Sequence, residues 1–266
     1  MTRHIDFEAI ENFRDFGGYP TACGRVLISG RLFRSGDHSR ATDADLRRMQ
    51  ALEVGAIADL RQPTERARDP SRRWAGFAGQ VIESDLTSDM PDWVEALKAS
   101  PLTPEWWYEN TLSHYRQHAF EPRHVAVFRG LMAHLAHGEG AVVVHCAAGK
   151  DRTGAACALV HHLAGVPREA MVADFLLTND ESRLAGKMAL GSAFVVRMTG
   201  RTPSDEAMRV AAQVYPGYLD AFFDSITARH GTVDAYLEAV LGVDAPLRQR
   251  IQDRLLAGAD AVTQPG

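Results

Sequence analysis

The chain has 266 residues, a formal net charge of −5 and a hydrophobic fraction of 45%. That length suits one large domain able to bury a sizeable core, and the mixed charge excludes a disordered chain. No basic stripe suggests a nucleic-acid surface, and no apolar stretch is long enough to span a bilayer.

Residues 4–36 read as irregular chain with short strands, Arg25 to Ile28 among them. Thr42 is placed to cap a helix, with Asp45 at the third helical position and Leu46, Met49 and Leu52 on its apolar face. Val54 to Leu60 reads as a buried strand, Arg61 to Arg73 as a short helix and loop, and Gln80 to Glu83 as a short strand. The stretch 91–108 is rich in Pro and Trp and is followed by helices from Tyr108 to His118 and from His124 to Ala136. An apolar run, Ala141 to Val144, then forms a strand ending at His145-Cys146. A short Gly-containing loop leads into a helix over Ala155 to Leu163. Pro167 is expected in the first turn of a helix running to about Leu177. Beyond Asn179 the chain reads as helical to Leu256, broken near Thr199 to Pro203, at Pro216-Gly217 and at Gly242 to Pro246. Helices alternating with buried strands predict an α/β fold, a mainly parallel central sheet flanked by helices, with a helical C-terminal portion. One domain over 1–266 is expected, with a helical extension or lid within about 180–266.

The chemistry concentrates in Val142 to Gly154, Val-Val-Val-His-Cys-Ala-Ala-Gly-Lys-Asp-Arg-Thr-Gly. A strand–loop–helix turn aims backbone N–H groups and a helix N-terminus at one point, which makes an anion site. A Cys there is expected as a thiolate nucleophile. An Arg five residues further along the loop can grip two phosphate oxygens at once. A nucleotide-binding loop would need Ser or Thr after Gly149-Lys150, where this chain has Asp151.

His-Cys-x-x-Gly-x-x-Arg-Thr-Gly resembles the signature loop of the cysteine-dependent protein tyrosine phosphatases. Further stretches fall in the order of one branch: Asn12-Phe13-Arg14-Asp15, Leu32-Phe33-Arg34-Ser35-Gly36, Ala58-Asp59-Leu60-Arg61 with Glu65, and Val172 to Leu176 with Asn179-Asp180. They resemble the atypical bacterial phosphatases related to the secreted mycobacterial tyrosine/lipid phosphatases. The resemblance spans most of the chain.

On this reading Cys146 is the nucleophile and Arg152 holds the equatorial oxygens. The amides from Ala147, Ala148, Gly149, Lys150 and Asp151 to Arg152 take the remaining lone pairs. The Thr153 hydroxyl is placed to donate to the Cys146 sulfur, or to cap backbone. His145 is expected to hold the loop by hydrogen bonds, as the resemblance also implies. One aspartate must protonate the leaving group and later activate water. Asp85 is favoured because it follows a short strand, and the related phosphatases place their acid after the corresponding strand. Asp59 is the runner-up, although it reads equally as a structural ion-pair corner. Asp89 and Asp92 read as a solvated helix start. The Trp-Pro-Asp acid loop of larger tyrosine phosphatases is absent. Lys150 resembles the loop of phosphatases acting on inositol lipids, where more than one phosphate is bound. Alternatively it is a solvated charge, with Asp151 capping the next helix. Arg14, Asp15, Arg34 and Asp37 either brace the loop from behind or form surface ion pairs. Asp174, Asn179 and Asp180 are expected to tie helix ends together. Trp106, Trp107, Tyr108 and the group Phe194, Val195, Val196 and Met198 read as core or as an aromatic wall over the cleft.

The expected activity is phosphomonoester hydrolysis through a phosphocysteine, without cofactor or metal. Expected substrates are phosphotyrosine and also phosphoserine/threonine or phosphoinositides. The alternatives are a primarily phosphoinositide phosphatase, a non-hydrolysing phosphate-binding module, and a sulfurtransferase or arsenate reductase. The Cys-to-Arg interval with Thr-Gly behind it fits phosphate better than the last pair. Partners are phosphorylated protein or lipid, with no nucleic acid and no membrane span. Three cysteines without framework spacing favour free thiols in a reducing compartment. The N-terminal residues carry no apolar h-region, so a cytoplasmic location is expected, with signal-less secretion still compatible.

Overall fold

The computed structural model describes residues 3–86 and 93–258. In chain order the first elements are β1 (Arg14–Asp15), β2 (Val26–Leu27), β3 (Leu32–Ser35), α1 (Asp43–Ala51), β4 (Val54–Asp59), α2 (Pro63–Arg68) and β5 (Gln80–Ile82). Then come α3 (Trp93–Ala99), α4 (Pro104–His118), α5 (Pro122–His137), β6 (Ala141–His145), α6 (Asp151–Ala164) and α7 (Arg168–Leu176). A 3₁₀ turn at Leu177–Asn179 leads to α8 (Glu181–Thr199), α9 (Asp205–Ala212), α10 (Pro216–His230), α11 (Val233–Ala239), α12 (Ala245–Leu255) and β7 (Leu256–Ala257).

The main sheet runs β1-β3-β6-β4-β5, parallel throughout except for the antiparallel pair β1/β3. Its two central strands are apolar at nearly every position because helices cover both faces. The strand period of two sorts their side chains. Ala56, Ala58, Val142 and Val144 join the large core under α5, α6 and α10. Ile57 and Val143 face the smaller core of Phe13, Phe33 and Met49. In register, Asp59 lies opposite His145, Ala58 opposite Val144 and Ile82, and Ser35 also opposite His145. The strand ends leading to Gly36, Leu60, Ser84 and Cys146 therefore open on one edge, the carboxyl edge where ligands bind in such sheets.

Local signals held where capping chemistry is explicit. Thr42 Oγ1 accepts from the Asp45 amide at 3.1 Å, and Asp45 Oδ2 accepts from the Thr42 amide at 3.1 Å. Within the Pro- and Trp-rich stretch α3 occupies Trp93–Ala99, and α4 begins at Pro104, ahead of the expected start at Tyr108. Proline at a first helical position loses no hydrogen bond, and Thr103 caps the helix before it. Pro216 likewise opens α10, so the expected break at Pro216-Gly217 falls just ahead of it, over 213–215. Pro167, expected inside the first turn of α7, stands just ahead of it. The strand pair β2/β7 joins an N-terminal segment to the end of α12, a pairing over some 230 residues with no local signal.

Candidate active site

Cys146 follows β6 and is buried, at 2% exposure. Ala147 and Ala148 are exposed, whereas Gly149 and Lys150 turn back into the protein. Gly149 has φ of +65°, and a Cβ there would lie 2.3 Å from the Ser35 carbonyl. Only glycine lets the loop pass this close to the end of β3.

The loop carbonyls are engaged outside its concavity. Ala147 O accepts from the Asp37 amide at 2.9 Å. Gly149 O accepts from Asn12 Nδ2 at 2.8 Å and Arg34 Nη2 at 3.1 Å. Lys150 O accepts from the Gly154 amide at 2.9 Å and Arg34 Nη2 at 3.3 Å. His145 Nδ1 lies 3.4 Å from the Cys146 carbonyl. In a trans peptide the N–H points opposite to its own carbonyl. The amides of Ala147, Ala148, Lys150 and Asp151 are thereby turned towards the concavity. The N-terminus of α6 adds its dipole to the same point.

Behind the loop sits a charged lattice. Arg34 Nη1 meets Asp174 Oδ2 at 3.0 Å, and Arg14 Nε lies 3.7 Å from Asp174 Oδ1. Arg14 also donates to Asn12 Oδ1 at 2.6 Å and Thr178 Oγ1 at 3.2 Å. All four charged and amide side chains are buried. Burial opposes ionisation of Asp174, but Arg14 and Arg34 outweigh it and hold its carboxyl below the usual range. Asn179 exchanges hydrogen bonds with Val214, and Asp180 caps α8.

Arg152 and Thr153 lie in the first turn of α6. Arg152 reaches Glu65 of α2 through both Nη atoms, at 2.5 and 2.9 Å, and Leu60 O at 3.2 Å. Burial alone would lower the Arg152 pKa, but Glu65 raises it above the usual arginine value. Burial would likewise raise Glu65, and Arg152 instead holds it down to about 2. The Thr153 hydroxyl is fully buried without a hydrogen-bond partner, so neither the expected donation to the Cys146 sulfur nor a backbone cap is made in this structure.

Asp59 is buried and binds Arg61 at 2.7–3.2 Å, with His145 Nε2 3.4 Å away. Burial works against its charge, yet His145 and Arg61 hold its carboxyl far below normal. Desolvation lowers the His145 pKa, and the ring stacks on His38 at 4.4 Å, so Arg61 is the charge that matters to Asp59 near neutrality. Asp85 lies three residues past β5, two strand spacings or about 10 Å from the strand of Cys146. Its side chain is 86% exposed and pairs with Arg66, the neighbour of Glu65 on α2. Asp89 and Asp92 lie outside the described residues.

Lys150 turns away from open solvent. Its ammonium donates to the carbonyls of Ala211 and Gln213 at the end of α9 and lies 3.4 Å from Asp151 Oδ2. Tyr115 donates to Asp151 Oδ1 at 3.3 Å and stacks on Tyr218. Trp107 and Val195 are buried in a third core cluster shared by α3, α4, α8 and α9. Sequence reasoning grouped Glu65 with Asp59 and Arg61 and missed its grip on Arg152. It also gave no role to Asn12 or Tyr115. The capping box of α2, in which Glu65 accepts from the Gln62 amide at 2.7 Å, was the one readable sign that Glu65 is fixed in place.

Among the described residues, no three His, Cys, Asp or Glu side chains gather as a metal site, and no helix is long and apolar enough to cross a membrane. A tyrosine phosphatase family model matches residues 5–257. A protein of Cupriavidus necator, provisionally named a tyrosine-protein phosphatase, is 34% identical over 260 residues, covering 96% of this chain and 90% of its own. The triple specificity protein phosphatase PtpB of Mycobacterium tuberculosis is 30% identical over 274 residues, covering 92% of this chain and 94% of its own. With a cysteine and an arginine set around inward-turned amides, and with matches of this extent, the chain belongs to the tyrosine phosphatase family.

Proposed function

We propose that the chain hydrolyses phosphomonoesters through a phosphocysteine on Cys146, acting on phosphotyrosine and also on phosphoserine/threonine or phosphoinositides. The observation that carries the reading is the loop itself. Its carbonyls are tied back by Asp37, Asn12 and Arg34, so its amides converge beside Cys146 and Arg152. Preorganised donors of this kind stabilise charge that develops in the transition state.

The Cys146 sulfur attacks phosphorus, the S–P bond forms and the ester P–O bond breaks. Asp85 gives its proton to the leaving oxygen. Arg152 turns from Glu65 to hold two equatorial oxygens, and Glu65 keeps its guanidinium within reach. Water then attacks the phosphocysteine, returning a proton to Asp85, and the Thr153 hydroxyl stabilises the departing thiolate. Asp85 must leave Arg66 to act. Arg34, Arg14 and His145 position the loop without touching substrate, and Asp59 with Arg61 forms the corner beneath it. The triple specificity in the name of the mycobacterial relative supports a broad substrate range. For a second phosphate on an inositol ring, Lys150 must exchange the Ala211 and Gln213 carbonyls for the substrate. Three free cysteines support work in a reducing compartment such as the cytoplasm.

The test is hydrolysis of an aryl phosphate in the presence of a chelator, comparing wild type with Cys146→Ser. Turnover that resists chelation and is lost in the variant, with vanadate binding retained, establishes the phosphocysteine route. Full activity in the variant refutes it.

A further inference from the structure

Helix α8 turns an apolar side outward. Leu184 and Val195 are its buried positions, and Val195 packs with Met188 and Met198 in the third core cluster. Gly186, Ala189, Leu190, Ala193, Val196 and Arg197 are exposed, and their three- and four-residue spacing places them on one face. Leu190 is 49% and Val196 40% exposed, two of the four large apolar side chains that stand out in this way among the described residues. A solvent-facing helix side is ordinarily polar.

Along the sequence of α8 and the turn after it the charge has one sign, although Asp6, Glu11 and Asp180 lie against its N-terminal end. No acidic residue occurs between Glu181 and Asp205, while Arg183, Lys187, Arg197 and Arg201 do, in a chain whose net charge is −5. Arg183 is neutralised by Asp6 at 2.8 Å. Lys187 and Arg201 donate only to backbone carbonyls, which fix them without cancelling their charge. Burial lowers the Lys187 pKa to about 8, so the steadier positive charge lies towards the C-terminal end, at Arg197 and Arg201. There Phe194 sits between Arg197, 5.5 Å from its ring centre, and Arg68 of α2, 6.0 Å away. The same short α2 carries Glu65, which holds Arg152. The basic, apolar end of α8 is thereby attached to the rim of the catalytic loop.

We propose that the outer face of α8 docks on a bilayer surface carrying anionic headgroups. Leu190 and Val196 enter the boundary between headgroups and acyl chains, and Arg197 and Arg201 meet the lipid phosphates, whereas Arg68 is paired with Asp69 at 2.7 Å. An apolar helix side flanked by cations is the pattern that seats a helix in the plane of such a surface. The contact sets the catalytic mouth against the headgroup layer, so the substrate class served is the membrane-borne phosphoinositide. This last step rests on the lipid part of the proposed function, whereas the docking surface does not.

The experiment is co-sedimentation of the full chain with vesicles of phosphatidylcholine alone and of equal parts phosphatidylcholine and phosphatidylserine. Wild type is expected to bind the anionic vesicles, to leave them as salt rises, and to ignore the neutral ones. Leu190→Glu combined with Val196→Glu is expected to cut binding about ten-fold or more, since charge replaces the apolar entry. Arg197→Ala is expected to cut it about five-fold, the effect of one cation near an anionic surface. Both variants should hydrolyse a soluble aryl phosphate at the wild-type rate, which reports an intact fold. Absence of binding to anionic vesicles overturns the proposal, as does unchanged binding by the Glu pair. A dimer dissolved by the Glu pair, without vesicle binding, overturns it in favour of a second copy. Hydrolysis of a short-chain, soluble phosphoinositide is measured separately. Turnover there with no vesicle binding removes the docking surface and leaves the substrate reading standing. Vesicle binding without that turnover does the reverse.

Discussion

Glu65 holds Arg152 by a two-point contact, carboxylate to both terminal guanidinium nitrogens, from a helix on the far side of the cleft. Arg152, proposed to grip phosphate, is thus held near the loop before it turns to substrate, and its partner is fixed in turn by the Gln62 amide. Such preorganisation removes the need to order a long side chain at the moment of reaction.

Replacing Glu65 by Gln should lower kcat/KM on the order of 100-fold, the scale of a small misplacement of a reacting group. The loss should appear mainly in kcat if Glu65 aligns Arg152 for the transition state. Steady-state kinetics on an aryl phosphate decides this, and an unchanged kcat would assign the pair to folding alone.

The same pair gives a pH dependence of stability. Glu65 titrates near 2 in the folded protein against 4.5 in the unfolded chain. Its depressed value means that the contribution is fully present above pH 4.5 and is lost as pH falls from there towards 2. The scale is at most about 3 kcal/mol. Denaturant melts of wild type and Glu65→Gln across that window should converge at the acid end and separate above pH 5 or so.

Asp85→Asn should slow hydrolysis strongly for alkyl or poor aryl leaving groups, and much less for nitrophenyl phosphate, by roughly 100-fold against a few-fold. A leaving-group series measures it. Equal losses across the series would remove Asp85 as the acid and return attention to the other carboxylates of the cleft.

Lys150→Ala should cost about 1–3 kcal/mol of stability, because the carbonyls of Ala211 and Gln213 lose a charged donor at the end of α9. It should also reduce turnover of multiply phosphorylated inositols more than that of aryl phosphate. Thermal melts read the first effect and paired kinetics the second. A uniform kinetic loss would make Lys150 a tie between α6 and α9 and nothing more.

Gly149→Ala should disable the loop. The left-handed backbone alone costs roughly 1–2 kcal/mol for a residue with a side chain, and the new methyl would strike the Ser35 carbonyl and the Gly36 amide. Loss of vanadate binding together with activity is expected, and retention of binding would show that the loop can move off β3.

The strand–loop–helix that carries Cys146 and Arg152 was legible because its parts are contiguous. An apolar strand, a glycine and a helix start lie within thirteen residues, Val142 to Gly154, and local propensity decides each. The α/β class was legible for the same reason, since the runs at β4 and β6 are apolar enough to require cover on both faces. The helix start at Pro104 was obscured because proline breaks a helix everywhere except at its first turn.

What only the tertiary structure decided are the partners of the loop. Glu65 lies 87 residues before Arg152, Asn12 lies 137 before Gly149, and the α9 carbonyls that take Lys150 lie 61 and 63 residues beyond it. Each contact joins a side chain to a backbone group or a charge that many neighbours in sequence could equally supply. The sequence therefore determined which groups the loop presents together, Cys146 and Arg152, through local backbone chemistry. Packing of the helices around the sheet decided which charges and carbonyls face them, since pairing across such separations is set by geometry and not by residue type.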